Sequence, residues 1–289
     1  MDKKLVFIVG IQKSGTSLLF RMLQETEYAE NPFKNEGHDF WGNVPPFSPK
    51  GFPAGTIYQR SGGDMGHEID AEDAAGDIQR ELHRRLAGLK TNAPVIVNKN
   101  PYNTVRLPWL RKLFPDSIII GMVRRAVPNV YSLLKKFYPH KDQGMPPEDG
   151  WWGIKPKGWR QMVSGDKLAQ SSLQWRAINN KLWLDRRYLD MLIGYHSFCA
   201  SPVKYIEEIL SLALSDKIHL TVKYPPIKCF DSEYQTGSCL MSKNRYYRKT
   251  GTFETPPKEP IEVNAFSKNE ISRVNEICGD VEKTIDVLT

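Results

Sequence analysis

The chain has 289 residues, 40% hydrophobic and 25% charged, and no apolar run approaches the roughly 20 residues that a membrane-spanning helix needs. That length and balance suit one globular domain over residues 1–289, with loop insertions near 31–70 and 138–166. Forty basic against thirty-three acidic residues leave a net charge of +7 with no zinc-finger, helix-turn-helix or RNP signature, which points to a small polyanionic ligand rather than to nucleic acid.

Leu5 to Val9 form a short apolar, β-branched run that reads as a buried strand ending at Gly10. The turn Gln12-Lys13-Ser14-Gly15-Thr16-Ser17 then leads into a helical pattern, Leu18, Leu19, Met22 and Leu23. A strand, a tight loop and a helix N-terminus aim backbone N–H groups and a positive dipole end at an anion. Gly10 and Gly15 have the separation of the nucleotide-triphosphate loop G-x-x-x-x-G-K-[ST], but Thr16 stands where its lysine belongs. The lysine is displaced to Lys13. From there it projects toward the far side of a bound 5′-phosphate, where a leaving group departs, rather than to β- and γ-phosphates. Lys3-Lys4 ahead of the run mimics an export signal, but the apolar stretch breaks at Gln12-Lys13 with no small-residue cleavage site.

Residues 31–70 lose periodicity and are rich in turn residues and aromatics. They carry Glu36, His38 and Asp39, and later His67 and Glu68. Asp70 is expected to cap a helix with Ile78, Leu82, Leu86 and Leu89 on one face. Val95 to Lys99 reads as a strand, and Thr104 to Leu113 as a helix interrupted early by Pro108. Ser117 to Val123 is a second near-continuous apolar run, suited to a strand covered on both faces. It ends in Arg124-Arg125, and a helix follows through Val127, Val130, Tyr131 and Leu134, with Pro128 in its first turn. Ser132 lies about two helical turns beyond Arg124, so the hydroxyl and the guanidinium can share one anion.

In the second insertion, Trp151, Trp152 and Trp159 stand among glycines and prolines, as a lid over an acceptor pocket or as a local core. A long helix carries Leu173, Trp175, Ile178, Leu182 and Trp183. Met191 to Phe198 is read as a strand, and Ile206, Ile209 and Leu210 belong to the helix after it. Residues 215–245 show no periodicity, and Phe266 to Leu288 form a terminal amphipathic helix. This order of elements predicts an α/β fold of three layers, α/β/α, with a central parallel sheet and its ligand at the carboxyl ends of the strands.

Lys13-Ser14-Gly15-Thr16-Ser17 after a first strand resembles the 5′-phosphosulfate loop of the sulfotransferases. Those enzymes use 3′-phosphoadenosine 5′-phosphosulfate (PAPS) and release adenosine 3′,5′-bisphosphate (PAP). Arg124 with Ser132 is similar to the family's 3′-phosphate pair, and Lys99-Asn-Pro101 with Asn103, Thr104 and Arg106 is similar to a motif of bacterial sulfotransferases. The resemblance implies that Tyr195 lies near the adenine and that Arg248-Lys249-Thr-Gly251 closes over the 3′-phosphate. The chain departs from the family where Arg125-Ala126 replaces the usual Asp-Pro after the arginine. The match runs from Leu5 to about Gly251. It implies a P-loop-like, bacterial-type soluble enzyme with a small-molecule or carbohydrate acceptor and no metal. Four cysteines without metal-ligand spacing or a disulfide framework fit a cytoplasmic location.

Sulfuryl transfer moves an SO₃ unit in line from a phosphate to an acceptor oxygen or nitrogen. Lysines aimed at the bridging and sulfonyl oxygens supply the electrostatic stabilisation without magnesium. Lys13 is expected at the leaving oxygen, with Lys99 assisting. A hydroxyl acceptor also needs a general base; Glu36 leads, His38 is the alternate, and His67 with Glu68 comes third. Two other readings stand beside this one. A P-loop nucleotide kinase or NTPase lacks its lysine after Gly15 and has Arg124 where a magnesium-binding aspartate is needed. A non-catalytic PAP-binding protein would keep the fold without turnover.

Overall fold

The computed structural model describes residues 3–33, 37, 40–41, 65–137, 149–220, 239–241, 246–247, 252–253, 261–263 and 266–286. Alternation along the first strand, β1 (Lys4–Val9), divides its side chains between two cores. Leu5, Phe7 and Val9 face one core and Val6 and Ile8 face the other, all of them buried. β1 pairs in parallel with β3 (Val95–Lys99) on one side and β4 (Ile118–Val123) on the other. The short β2 (Ala29–Glu30) and β5 (Met191–Gly194) extend the sheet to the order β2-β3-β1-β4-β5, every pairing parallel.

Helix α1 (Thr16–Gln24), α7 (Tyr195–Ala200) and α8 (Pro202–Leu214) supply the core on the Val6/Ile8 face. On the opposite face lie α2 (Gly76–Ala87), α3 (Leu107–Leu113), α4 (Ala126–Leu134), α6 (Lys167–Leu184) and the terminal α9 (Lys268–Asp286). These layers are the three-layer α/β/α arrangement expected from the order of elements. Adjacent strands β1 and β4 send their following helices to opposite faces, α1 to one and α4 to the other. That reversal opens a crevice at their carboxyl ends, the place where ligands bind in sheets of this kind.

Four local details differ from the sequence reading. Asp70 does not start α2; its N–H donates to Asp73 Oδ2 (3.0 Å) in a 3₁₀ turn over Ala71–Asp73, and Ala75 precedes α2. Pro101–Val105 is a 3₁₀ helix in which Asn100 Oδ1 accepts from the Tyr102 N–H, and Pro108 then sits in the first turn of α3, where its missing N–H is harmless. β5 stops at Gly194, so Tyr195 opens α7 instead of lying within the strand. Pro202 then separates α7 from α8, because the residue before a proline resists helical geometry. Within the aperiodic 215–245 stretch, Cys239–Met241 forms an antiparallel pair with Ile261–Val263.

Candidate functional site

The Lys13 turn hangs from the end of β1 and is tied on all sides. The Gly10 N–H donates to Thr104 Oγ1 (2.8 Å), whose own hydroxyl donates to the Pro101 carbonyl (2.6 Å). The turn closes with Ser14 N–H on the Ile11 carbonyl (3.2 Å), and α1 starts with Leu18 N–H on the Gly15 carbonyl (2.9 Å). Gly10 (φ 150) and Gly15 (φ 103) take backbone conformations that side chains resist, and a β-carbon at Gly10 would meet Ser14 Oγ at 2.8 Å. Lys13 adopts φ 69 without being glycine, an uncommon left-handed geometry.

Arg124, at the end of β4, reaches across to this turn. Its Nη1 donates to the Lys13 carbonyl (3.2 Å) and lies 3.5 Å from Ser132 Oγ, while the Ser132 hydroxyl donates to the Pro128 carbonyl (2.9 Å). The guanidinium stands over the Tyr195 ring, 4.8 Å from its centroid. Gln12, Lys13, Ser14, Gly15, Thr16, Ser17, Arg124, Ser132 and Tyr195 therefore meet at the carboxyl ends of β1, β4 and β5. Lys99 ends β3, one strand away and buried; its register partner on β1 is Ile8.

Charge around the turn is one-signed. Although part of its side chain stays exposed, Lys13 has its pKa lowered to about 8, first by desolvation and then by Lys136, Arg124, Lys135 and Lys99. Lys136 is itself shifted down by burial, and its ammonium lies 5.4 Å from the Trp152 ring centroid. The Ser14 hydroxyl is fully buried and has no hydrogen-bond partner among the described residues. A buried orphan hydroxyl, a cradle that a β-carbon would fill and a cluster of cations together fit a phosphate-bearing anion.

Both insertions are fastened to this region. Asn98, beside Lys99, donates from Nδ2 to the Gly37 carbonyl (2.7 Å), and Arg85 donates from Nη1 to the carbonyls of Phe40 (2.8 Å) and Trp41 (2.9 Å). Phe40 and Trp41 anchor there by packing with Phe7, Trp109 and Phe114. Burial of each such side chain contributes roughly 1.5–3 kcal/mol. In the second insertion, Trp151 and Trp159 are buried edge to face (5.8 Å), so for them the local-core reading holds. Gly153 lies against the Gln12 side chain, and Gln170 and Gln174 on α6 donate to the carbonyls of Gly150 (2.7 Å) and Trp152 (2.8 Å).

The two insertions also dock on each other. The His67 N–H donates to the Lys155 carbonyl (2.7 Å), and His67 Nδ1 accepts from the Lys155 N–H (2.8 Å). Glu68 Oε1 accepts from the Lys157 N–H (2.7 Å). Burial first, then Arg106 and Lys155, hold the His67 pKa well below 6.5, so the imidazole is neutral. Arg106 donates from Nε to the His67 carbonyl (2.9 Å), and burial pushes the guanidinium down to about 9. With Nδ1 committed to a backbone N–H, His67 serves as a clasp and not as a proton acceptor at that nitrogen.

Glu36, His38, Arg248, Lys249 and Gly251 lie outside the described residues. Among the described residues, no group of three or more His, Cys, Asp or Glu could hold a metal ion, and no helix is long and apolar enough to cross a membrane. Sequence reasoning passed over Asn129, whose Nδ2 lies 3.4 Å from the Gln12 carbonyl. An isolated amide on the apolar side of its helix was the available signal.

A sequence model described as "Sulfotransferase family" matches residues 6–213, more than two thirds of the chain. Among solved structures, sulfotransferase STF9 from Mycobacterium avium is 13% identical, aligned over 99% of this chain and 78% of that one with a TM-score of 0.48. STF1 from Mycobacterium tuberculosis H37Rv is 13% identical over 97% and 77%, with a TM-score of 0.47. A sulfotransferase from Alicyclobacillus acidocaldarius is 17% identical over 78% and 88%, with a TM-score of 0.40. No curated protein matches the chain.

Proposed function

Because the chain belongs to the sulfotransferase family, we propose that it transfers a sulfuryl group from PAPS to a hydroxyl or amine of a small-molecule or carbohydrate acceptor. The observation that carries this reading is the meeting of two separated motifs at one crevice. Arg124 Nη1 contacts the Lys13 carbonyl (3.2 Å) and approaches Ser132 Oγ (3.5 Å).

When bound, PAPS supplies a sulfuryl group already activated on the 5′-phosphate. The N–H groups and hydroxyls of residues 12–17 hold that phosphate, with the α1 N-terminus behind them. Arg124 and Ser132 hold the 3′-phosphate, joined by Arg248, Lys249 and Gly251, and Tyr195 packs against the adenine. Lys13 would stay protonated and hydrogen-bond through an Nζ–H to the oxygen on which charge develops, while Lys99 would assist from β3. Glu36 accepts the acceptor's proton, with His38 as alternate; both flank Gly37, which Asn98 ties beside Lys99 (2.7 Å).

Calorimetric titration with PAP and with ATP–Mg, followed by an acceptor screen with ³⁵S-labelled PAPS, tests the proposal. Tight PAP binding with label transferred to an acceptor is expected. A preference for ATP–Mg would sink the reading, and PAP binding with no transfer to any acceptor would leave a binding protein. Glu36→Gln should lower turnover about 10²- to 10⁴-fold with PAP affinity retained.

A further inference from the structure

Two consecutive carbonyls of the Lys13 turn are held from one short stretch of chain. Arg124 donates to the Lys13 carbonyl (3.2 Å), and Asn129, five residues later on α4, donates from Nδ2 to the Gln12 carbonyl (3.4 Å). Asn129 is fully buried, and its Oδ1 has no partner among the described residues. Its neighbours Pro128, Val130 and Tyr131 are all buried. An amide at such a position lowers helix propensity and strands a polar oxygen, so a leucine would serve packing better. The one hydrogen bond that this side chain makes among the described residues is the contact to the loop.

We infer that Asn129 is a positioning residue: together with Arg124 it holds the Gln12–Lys13 turn by its two carbonyls and so fixes where the Lys13 ammonium points. A trans peptide sets its N–H opposite its C=O, so holding the Gln12 carbonyl also directs the Lys13 N–H. Lys13 is held at φ 69, a conformation that a free lysine leaves readily. On its other side the Gln12 side chain lies over Gly153 of the second insertion, where a β-carbon would meet its Cδ at 2.8 Å, so the turn lies between that segment and α4. The value of this clamp for sulfuryl transfer rests on the PAPS reading above; the clamp itself does not.

Asn129→Leu removes the donor at similar volume, and Asn129→Ala serves if the leucine variant does not fold. Two quantities are measured: PAP affinity by calorimetry, and the pH dependence of Lys13 acetylation followed by peptide mass spectrometry. PAP binding should weaken about tenfold, the equivalent of one hydrogen bond. The Lys13 labelling midpoint should rise from about 8 toward 10.5 as the ammonium leaves its desolvated position and, with it, its cationic neighbours. An altered melting temperature with both quantities unchanged would overturn the inference, reducing Asn129 to a space-filler. A shifted labelling midpoint in a protein that binds no PAP would support the clamp and reject the PAPS reading.

Discussion

The Tyr195 ring occupies the space that a side chain on Gly15 would need: a β-carbon there would meet Cε2 at 2.7 Å and Met122 Sδ at 3.0 Å. The ring is held in turn beneath Arg124. Gly15→Ala therefore meets both a steric block and an unfavourable φ of 103. It should destabilise the protein by about 1–3 kcal/mol in urea titration and weaken PAP binding at least about 100-fold. Adding Tyr195→Ala removes the ring's part of the clash and leaves the Met122 contact and the φ penalty, so the double variant should recover part of the stability and none of the stacking.

Under the proposed function, Lys13→Met removes the cation that stabilises the leaving oxygen. Turnover with labelled PAPS should fall about 10²- to 10³-fold, the loss seen when one electrostatic donor is deleted, with PAP affinity less affected. Lys13 with its pKa near 8 is protonated below that pH, so PAP affinity should decline as pH rises through 8. The stability effect has the opposite sense. The folded state releases this proton near 8 and the unfolded chain near 10.5, so folding of the empty protein gains stability between those values. Denaturant titrations at pH 7 and 10 should show that gain in the wild type and not in Lys13→Met.

Arg124→Ala and Ser132→Ala separate the two ends of the nucleotide. If this pair reads the 3′-phosphate, Arg124→Ala should cost about 10- to 150-fold in PAP affinity, the range for a charged hydrogen bond. AMP, which lacks that phosphate, should lose only the part that acts through the Lys13 turn, about tenfold or less. Equal losses for PAP and AMP would assign Arg124 to the loop alone, through its bond to the Lys13 carbonyl.

The His67 clasp makes an acid-side prediction. Its folded pKa lies well below 6.5, so the unfolded chain takes up the proton first. The stability it contributes is complete above pH 6.5 and is lost below it, at about 1.4 kcal/mol per pH unit until folded His67 protonates. His67→Gln should shrink the stability difference between pH 7 and pH 5, read by urea denaturation.

Strands β1, β3 and β4 were legible because strands covered on both faces show near-unbroken apolar runs. The Lys13 turn was legible because two glycines at fixed separation and a displaced lysine are rare together. What escaped shares one physical cause. Asn98 to Gly37, Asn129 to Gln12 and His67 to Lys155 each join groups far apart in sequence through a backbone carbonyl or N–H. Every residue carries those groups, so their partners leave no trace in residue type. Tyr195 was placed in a strand because a four-residue strand and a six-residue helix are both too short to show a period. The Trp151–Trp159 pair was ambiguous for another reason: tryptophan suits a core and a binding wall equally well.

The pairing of residues 67 and 155 through their main chains has an evolutionary consequence. Residues 155 and 157 enter this junction only through peptide groups, which any amino acid carries, whereas residues 67 and 68 also contribute the imidazole and the carboxylate. Substitutions can accumulate at positions 155 and 157 while the seam between the two segments persists. A scaffold joined this way can explore new acceptors without first solving its folding again.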